Sequence, residues 1–182
     1  YNYILSKEIL ITIIGIPKTI DNDIYPITRS LGGYSAAENS ANFFSNIVNE
    51  NFMSSRHLII HEVMGRNCGW LAAYSAKLYL DMLDEKKTKF INPFDINRFG
   101  IHALYIPELV VAFEKEIIRL SKVIDKVGCL NIFICEGSFS DEVINESEKD
   151  IERDAYGHIK LDKIDTGEWL SSYLKKYIKI DR

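Results

Sequence analysis

Apolar positions along the chain gather into runs whose period changes from one stretch to the next. Residues 9–16, Ile-Leu-Ile-Thr-Ile-Ile-Gly-Ile, form a nearly unbroken β-branched run ended by Pro17, the pattern of a strand buried on both faces. The charged residues that follow then belong to a loop. Between Gly33 and Asn49, Ala36, Ala37, Phe43, Phe44 and Ile47 return at helical spacing after a Gly-Gly start and predict a helix. Residues 58–63, Leu-Ile-Ile-His-Glu-Val, read as a second strand. The stretch 70–83 is rich in helix formers, with Leu71, Ser75 and Leu78 on one stripe. A third strand is predicted at 102–106. An amphipathic helix follows at 110–125 through Val111, Phe113, Ile117, Ile118, Leu120 and Ile124. Cys-Leu-Asn-Ile-Phe-Ile-Cys after Gly128 is the fourth strand. Residues 81–101 turn polar, carry Asn92-Pro93, and read as an insertion or a long surface loop. Residues 136–157 are polar as well. Asp165 and Glu168 have the spacing of a capping box, with Trp169, Leu170, Tyr173, Leu174 and Tyr177 continuing a last helix.

Strands alternating with helices imply an α/β fold of three layers around a mainly parallel sheet. In such sheets ligands collect outside the carboxyl ends of the strands, which directs attention to 17–25, 64–68 and 136–140. Composition narrows the classes further. With 47% hydrophobic residues the chain can build a core and is not disordered as a whole. Its net charge of -4 comes with no long block of either sign, so nucleic acid is not an expected partner. No apolar run reaches the roughly 18 residues of a membrane span and no signal peptide opens the chain, which makes the cytoplasm the default location. Cys68, Cys129 and Cys135 form no CxxC and leave an odd one over, so they read as free thiols. The sequon at Asn145 is a single chance-level match. The chain starts at Tyr1 with a strand almost at once, which points to a piece of a longer polypeptide.

The three strand-end loops carry charge of the kind a phosphorylated sugar needs. Asp21 and Asp23 are two apart, so an extended loop presents both carboxylates on one side, roughly 7 Å apart at about 3.3 Å per residue. One can take a proton while the other helps hold a hydrated cation. Lys18, three residues before Asp21, supplies a positive point charge for phosphate. In the second loop Gly65 permits close backbone approach and Arg66 a two-pronged grip on anions, with Met64 beside them. The third opens with Glu136 and Gly137, where a carboxylate can accept hydrogen bonds from sugar hydroxyls. Singly, each has a plainer explanation. A lone Asp in a turn most often makes an Asx-turn, and Asn22 strengthens that reading; a lone Arg after a strand is most often a surface ion pair.

Their order is more specific. "GIPKTIDNDI", then "EVMGRNCG", then "CEG" after an apolar strand resembles the 6-phosphofructokinase family, most of all its pyrophosphate-dependent type. The resemblance covers nearly all of the chain. Because the family's polypeptides are longer, it implies an incomplete phosphofructokinase-like fold, residues 1–182 being a middle portion made mainly of the fructose 6-phosphate-binding domain. It implies transfer of a phosphoryl group from pyrophosphate to the 1-hydroxyl of fructose 6-phosphate, with Mg2+. Asp21 would draw the proton from that hydroxyl, Asp23 would support the charge and the metal, and Thr19 would lie near the transferring group. Met64, Gly65 and Arg66 would hold the sugar phosphate and the migrating phosphoryl, and Glu136 the sugar hydroxyls. Lys18 would mark pyrophosphate as the donor, since ATP users often have glycine there; ATP stays an alternative because some of them share this lysine. The arginine that reaches a neighbouring subunit's sugar phosphate would fall near Arg56 or His57, which implies an oligomer. A regulatory, non-catalytic domain of the family is a further alternative, against which both Asp21 and Asp23 being present argues. His61, His102 and His158 receive no role.

Overall fold

The computed structural model describes residues 11–12, 14–87, 96–139, 143 and 165–181. In chain order the elements are α1 (Gly33–Asn51), β1 (His57–Val63), α2 (Trp70–Lys87), a single 3-10 turn (Ile96–Phe99), β2 (Ala103–Tyr105), α3 (Phe113–Val127), β3 (Cys129–Cys135) and α4 (Thr166–Tyr177). The strands make a parallel sheet in the order β1-β3-β2, with His57 opposite Cys129, Val63 opposite Cys135 and Ala103 opposite Ile132.

β3 is central, and all seven of its residues are buried. Its side chains alternate between two cores, as the period of a strand requires. Leu130, Ile132 and Ile134 face Leu120 and Ile124 of α3 and Leu170 and Leu174 of α4. Phe133 faces the other way, into Ala41, Phe44 and Val48 of α1 and Ala76, Tyr79 and Leu83 of α2. The result is the expected three-layer arrangement around a parallel sheet. Helix ends follow local chemistry. Gly128 takes φ 84 after α3, and its N–H donates to the Ile124 carbonyl at 2.8 Å. Asp165 caps α4 by accepting the Glu168 N–H at 2.7 Å, as its spacing predicts.

Three expectations need correction. The described part of the first apolar run, 11–12 and 14–16, belongs to no strand, and Ile14 and Ile16 are 80% and 76% exposed. A strand requires a hydrogen-bonded neighbour as well as apolar side chains, and the three-stranded sheet does not include this segment. The presumed insertion at 81–101 is not a loop throughout: α2 continues through residue 87, where Glu and Lys are good helix formers despite their polarity, and residues 96–99 form the 3-10 turn. The helix expected from 110 starts at Phe113, leaving Leu109 and Val110 exposed in the connection. Residues 88–95, most of 136–157 after Phe139, Asn145 and His158 lie outside the described residues. Among the described residues no helix is long and apolar enough to cross a membrane.

Candidate functional site

The first loop, which in the structure follows no described strand, is a polar construction. Leu31 N–H donates to the Pro17 carbonyl at 3.1 Å, closing residues 17–31 on themselves. Inside that loop Asn22 takes a left-handed φ of 54, and its Oδ1 accepts the Ser30 N–H at 2.8 Å. The buried Ser30 hydroxyl donates to the Thr19 carbonyl, and Thr19 Oγ1 accepts the Asp21 N–H at 3.2 Å. Asn22 therefore does make a turn contact, as its residue type suggested, but with a partner eight residues on. The loop lies over the start of α1: a Cβ at Gly33 would stand 3.3 Å from the Ile20 carbonyl oxygen and 3.3 Å from the Trp70 ring.

The second and third loops interlock at the tips of β1 and β3. Glu136 N–H extends the ladder by donating to the Val63 carbonyl at 2.9 Å, while Glu136 Oε1 accepts the Gly65 N–H at 3.1 Å. Gly65 has φ 139, and a Cβ there would come within 2.4 Å of the Cys68 carbonyl oxygen and 2.6 Å of Cys135 Sγ, so only glycine fits. At Gly137 a Cβ would stand 1.8 Å from the Arg66 carbonyl oxygen, so the backbones of the two loops are in direct contact. The first loop joins them through Cys68, whose Sγ lies 3.6 Å from the Asp21 carbonyl oxygen.

Electrostatics place the acids together. Partial burial pushes the Asp21 carboxyl above its ordinary value, and the neighbouring Asp23 and Glu136 carboxylates push it the same way. The order in which the site residues occur along the chain is thus matched by proximity in space: Thr19, Asp21, Asp23, Gly65, Arg66 and Glu136 all belong to the three loops that meet here. Lys18 and Met64 are exposed on the first and second of these loops, and the Arg66 side chain is half-buried. Arg56 does not join them. It precedes β1, at the opposite end of the sheet, with its guanidinium on Asp125 at 2.9 Å and on the Lys179 carbonyl at 2.9 Å. His61 and His102, which received no role, are accounted for by packing and hydrogen bonds. His61 Nε2 pairs with Ser40 Oγ at 2.8 Å beneath the rings of Phe44 and Phe133. His102 Nδ1 accepts the Asn131 N–H at 2.8 Å.

Several supports were missed in the sequence. Glu108 Oε1 accepts the Gly69 N–H at 2.8 Å, fixing the far end of the second loop. The fully buried Thr166 at the start of α4 donates its hydroxyl to the Glu136 carbonyl at 2.8 Å. Cys135 donates its thiol to the Gly65 carbonyl at 2.8 Å. None of these shares a motif with its partner, and the only sequence signal was position: each stands at or just beyond a strand end, or at a helix cap.

The phosphofructokinase family model matches residues 2–79 of the chain. The chain is 42% identical over 177 residues to the pyrophosphate–fructose 6-phosphate 1-phosphotransferase of Methylomonas methanica, covering 94% of this chain and 43% of that protein. It is 40% identical over 185 residues to the protein of the same name from Methylotuvimicrobium alcaliphilum, covering 99% of this chain and 45% of that one. Among solved structures, the pyrophosphate-dependent phosphofructokinase from Marinobacter aquaeolei superimposes with a TM-score of 0.57 at 25% identity, over 75% of this chain and 32% of that one. The chain thus spans less than half the length of the curated relatives it matches. With its parallel sheet, its strand-end loops in the expected order and relatives that match it almost from end to end, the chain belongs to the phosphofructokinase family.

Proposed function

We propose that the chain supplies the greater part of the fructose 6-phosphate-binding domain of an enzyme that transfers a phosphoryl group from pyrophosphate to the 1-hydroxyl of fructose 6-phosphate, giving fructose 1,6-bisphosphate. The observation that carries this reading is the meeting of Asp21, Asp23 and Glu136 around the Gly65-Arg66 turn, where the like charges and burial raise Asp21. A carboxylate raised in this way is a better base at neutral pH, and Asp21 takes the proton of the attacking hydroxyl. Phosphoryl transfer asks the protein mainly for positioning and charge compensation. Arg66 and the Gly65 backbone compensate charge on the migrating group, with Met64 and Thr19 lining its position. Glu136 gives Oε1 to the Gly65 N–H and offers its second oxygen to sugar hydroxyls. Lys18, exposed on the first loop, serves the donor phosphate and favours pyrophosphate.

Mg2+ suits this arrangement. Among the described residues no group of three His, Cys, Asp or Glu side chains could hold a metal ion. Mg2+ needs no such cage, because it keeps several waters and binds through one or two carboxylates together with substrate phosphates. Burial raises Asp21 most, and the Asp23 and Glu136 carboxylates add to it; that negative charge is what a cation would relieve, and Asp23 would hold it. When bound, the ion neutralises charge on the donor phosphates. The same reading places the enzyme in the cytoplasm, in glycolysis, as an oligomer in which Arg56 serves a neighbouring subunit.

The test uses a protein of full family length carrying this sequence, assayed with pyrophosphate and with ATP. Asp21→Ser is expected to lower kcat by about 10²–10⁴-fold while changing KM for fructose 6-phosphate little, since it removes a base used in the transition state. Undiminished kcat would reject Asp21 as the base. Turnover with ATP alone would reject the donor.

A further inference from the structure

Gly65 is held at both of its polar groups by three consecutive residues of one strand end, Cys135 to Gly137. Its N–H donates to Glu136 Oε1 at 3.1 Å, and its carbonyl accepts the Cys135 S–H at 2.8 Å and the Gly137 N–H at 3.3 Å. The sulfur also lies 3.5 Å from the Cys68 carbonyl oxygen and 3.7 Å from that of Met64, so it fills the inside of the 64–68 turn. Cys135 is fully buried as the last residue of β3, and the glycine above it has no room for a side chain. The two peptide planes that flank Gly65 are thus each held, and the one carrying its carbonyl, which leads into Arg66, cannot rotate without breaking its hydrogen bonds.

We infer that Cys135 is a positioning residue for phosphoryl transfer: its S–H makes the shorter of the two hydrogen bonds that hold the Gly65–Arg66 peptide, and so sets the direction of the Arg66 side chain toward the anion. The inference rests on the proposed role of the Gly65-Arg66 turn. Burial pushes the Cys135 thiol up to about 12, so it stays protonated and remains a donor at neutral pH. Its chemistry is that of a hydrogen-bond donor, with no nucleophilic part. Serine keeps a donor at this place; alanine removes it and leaves the Gly65 carbonyl with only the longer 3.3 Å bond from the Gly137 N–H.

The test compares Cys135→Ala and Cys135→Ser with the parent in a protein of full family length, with thermal unfolding measured beside kinetics. The alanine variant is expected to lose about 10–100-fold in kcat/KM, as small displacements at a reacting centre do, with kcat carrying most of the loss. The serine variant is expected to recover most of it. An alanine variant as fast as the parent, or a folded serine variant as slow as alanine, overturns the inference. Should the alanine variant not fold, the S–H stretching band of the parent decides, identified by its absence in Cys135→Ser. It is expected to shift when fructose 6-phosphate and inorganic phosphate bind, and an unmoved band overturns the inference. Arg66→Met separates the two readings: unchanged activity in that variant refutes the role of the turn itself, whereas lost activity beside parent-like Cys135 variants refutes only the role of the thiol.

Discussion

The two sides of the strand-end cleft are supported in different ways. Glu136 extends a strand whose seven residues are all buried between two cores, and its carbonyl is tied to α4 through Thr166. Asp21 belongs to a loop in which Tyr25 is 96% exposed, and whose shape comes from hydrogen bonds among Thr19, Asn22 and Ser30. Burial of large side chains holds the first side; a few polar contacts, each contributing about 1 kcal/mol, hold the second. The acid proposed as the base is thus on the more weakly anchored element, facing a rigid wall. Stability and turnover should therefore respond to different residues.

That separation is open to direct attack. Phe133 is fully buried with its ring centroid 4.4 Å from that of Phe44, and Phe133→Ala should cost about 3–5 kcal/mol in denaturant unfolding while leaving kcat per folded molecule near the parent's. Equal damage to both would mean that the core and the acid loop are not independent. The core can also be probed by acid. Burial lowers His61 from 6.5 to about 4, so the unfolded chain binds the proton more readily. Its contribution is complete above pH 6.5 and is lost as pH falls from 6.5 toward 4, by up to about 3 kcal/mol. His61→Asn should flatten that part of the stability profile; an unchanged slope would show that the imidazole is not the cause. On the loop side the expected pattern is reversed. Ser30→Ala leaves the Thr19 carbonyl without its donor and should reduce kcat/KM by about tenfold with little change in Tm. A large fall in Tm with normal kinetics would contradict the comparison. The smallest effect is expected far from the cleft, where Asp125→Asn removes the partially exposed pair with Arg56 and should change stability by less than about 1 kcal/mol.

Much of this was legible along the chain because period reports burial. The runs that became β1 and β3 packed into the cores, as did most of the stripe that became α3, Ile118 being left 58% exposed. The run at 9–16 was misjudged by the same rule, since apolar character marks a segment fit to be a strand without naming its neighbour. The helical Glu85 was read as loop for the opposite reason: on an exposed helix face, polarity and helix propensity coincide. Glu136 could be found because it directly follows a strand, and strand ends in a parallel sheet converge; Asp21 and Asp23 were found by the order of the motifs, since the described residues before them form no strand. Their supports could not. Cys135 meets Gly65 across 70 positions and Glu108 meets Gly69 across 39, and such pairings become visible only when the sheet brings its ends together.

The strand order has a temporal corollary. Among the described residues β3 lies between β1 and β2 but is made after both, so neither earlier strand has its β3 partner while the ribosome is still translating the residues before Cys129. His57 waits for a residue 72 positions downstream, and loop closure of that length makes parallel pairing intrinsically slow. During that interval the β3-facing edges of two apolar strands await their partner on the nascent chain, a natural point of engagement for chaperones and a point at which aggregation would begin.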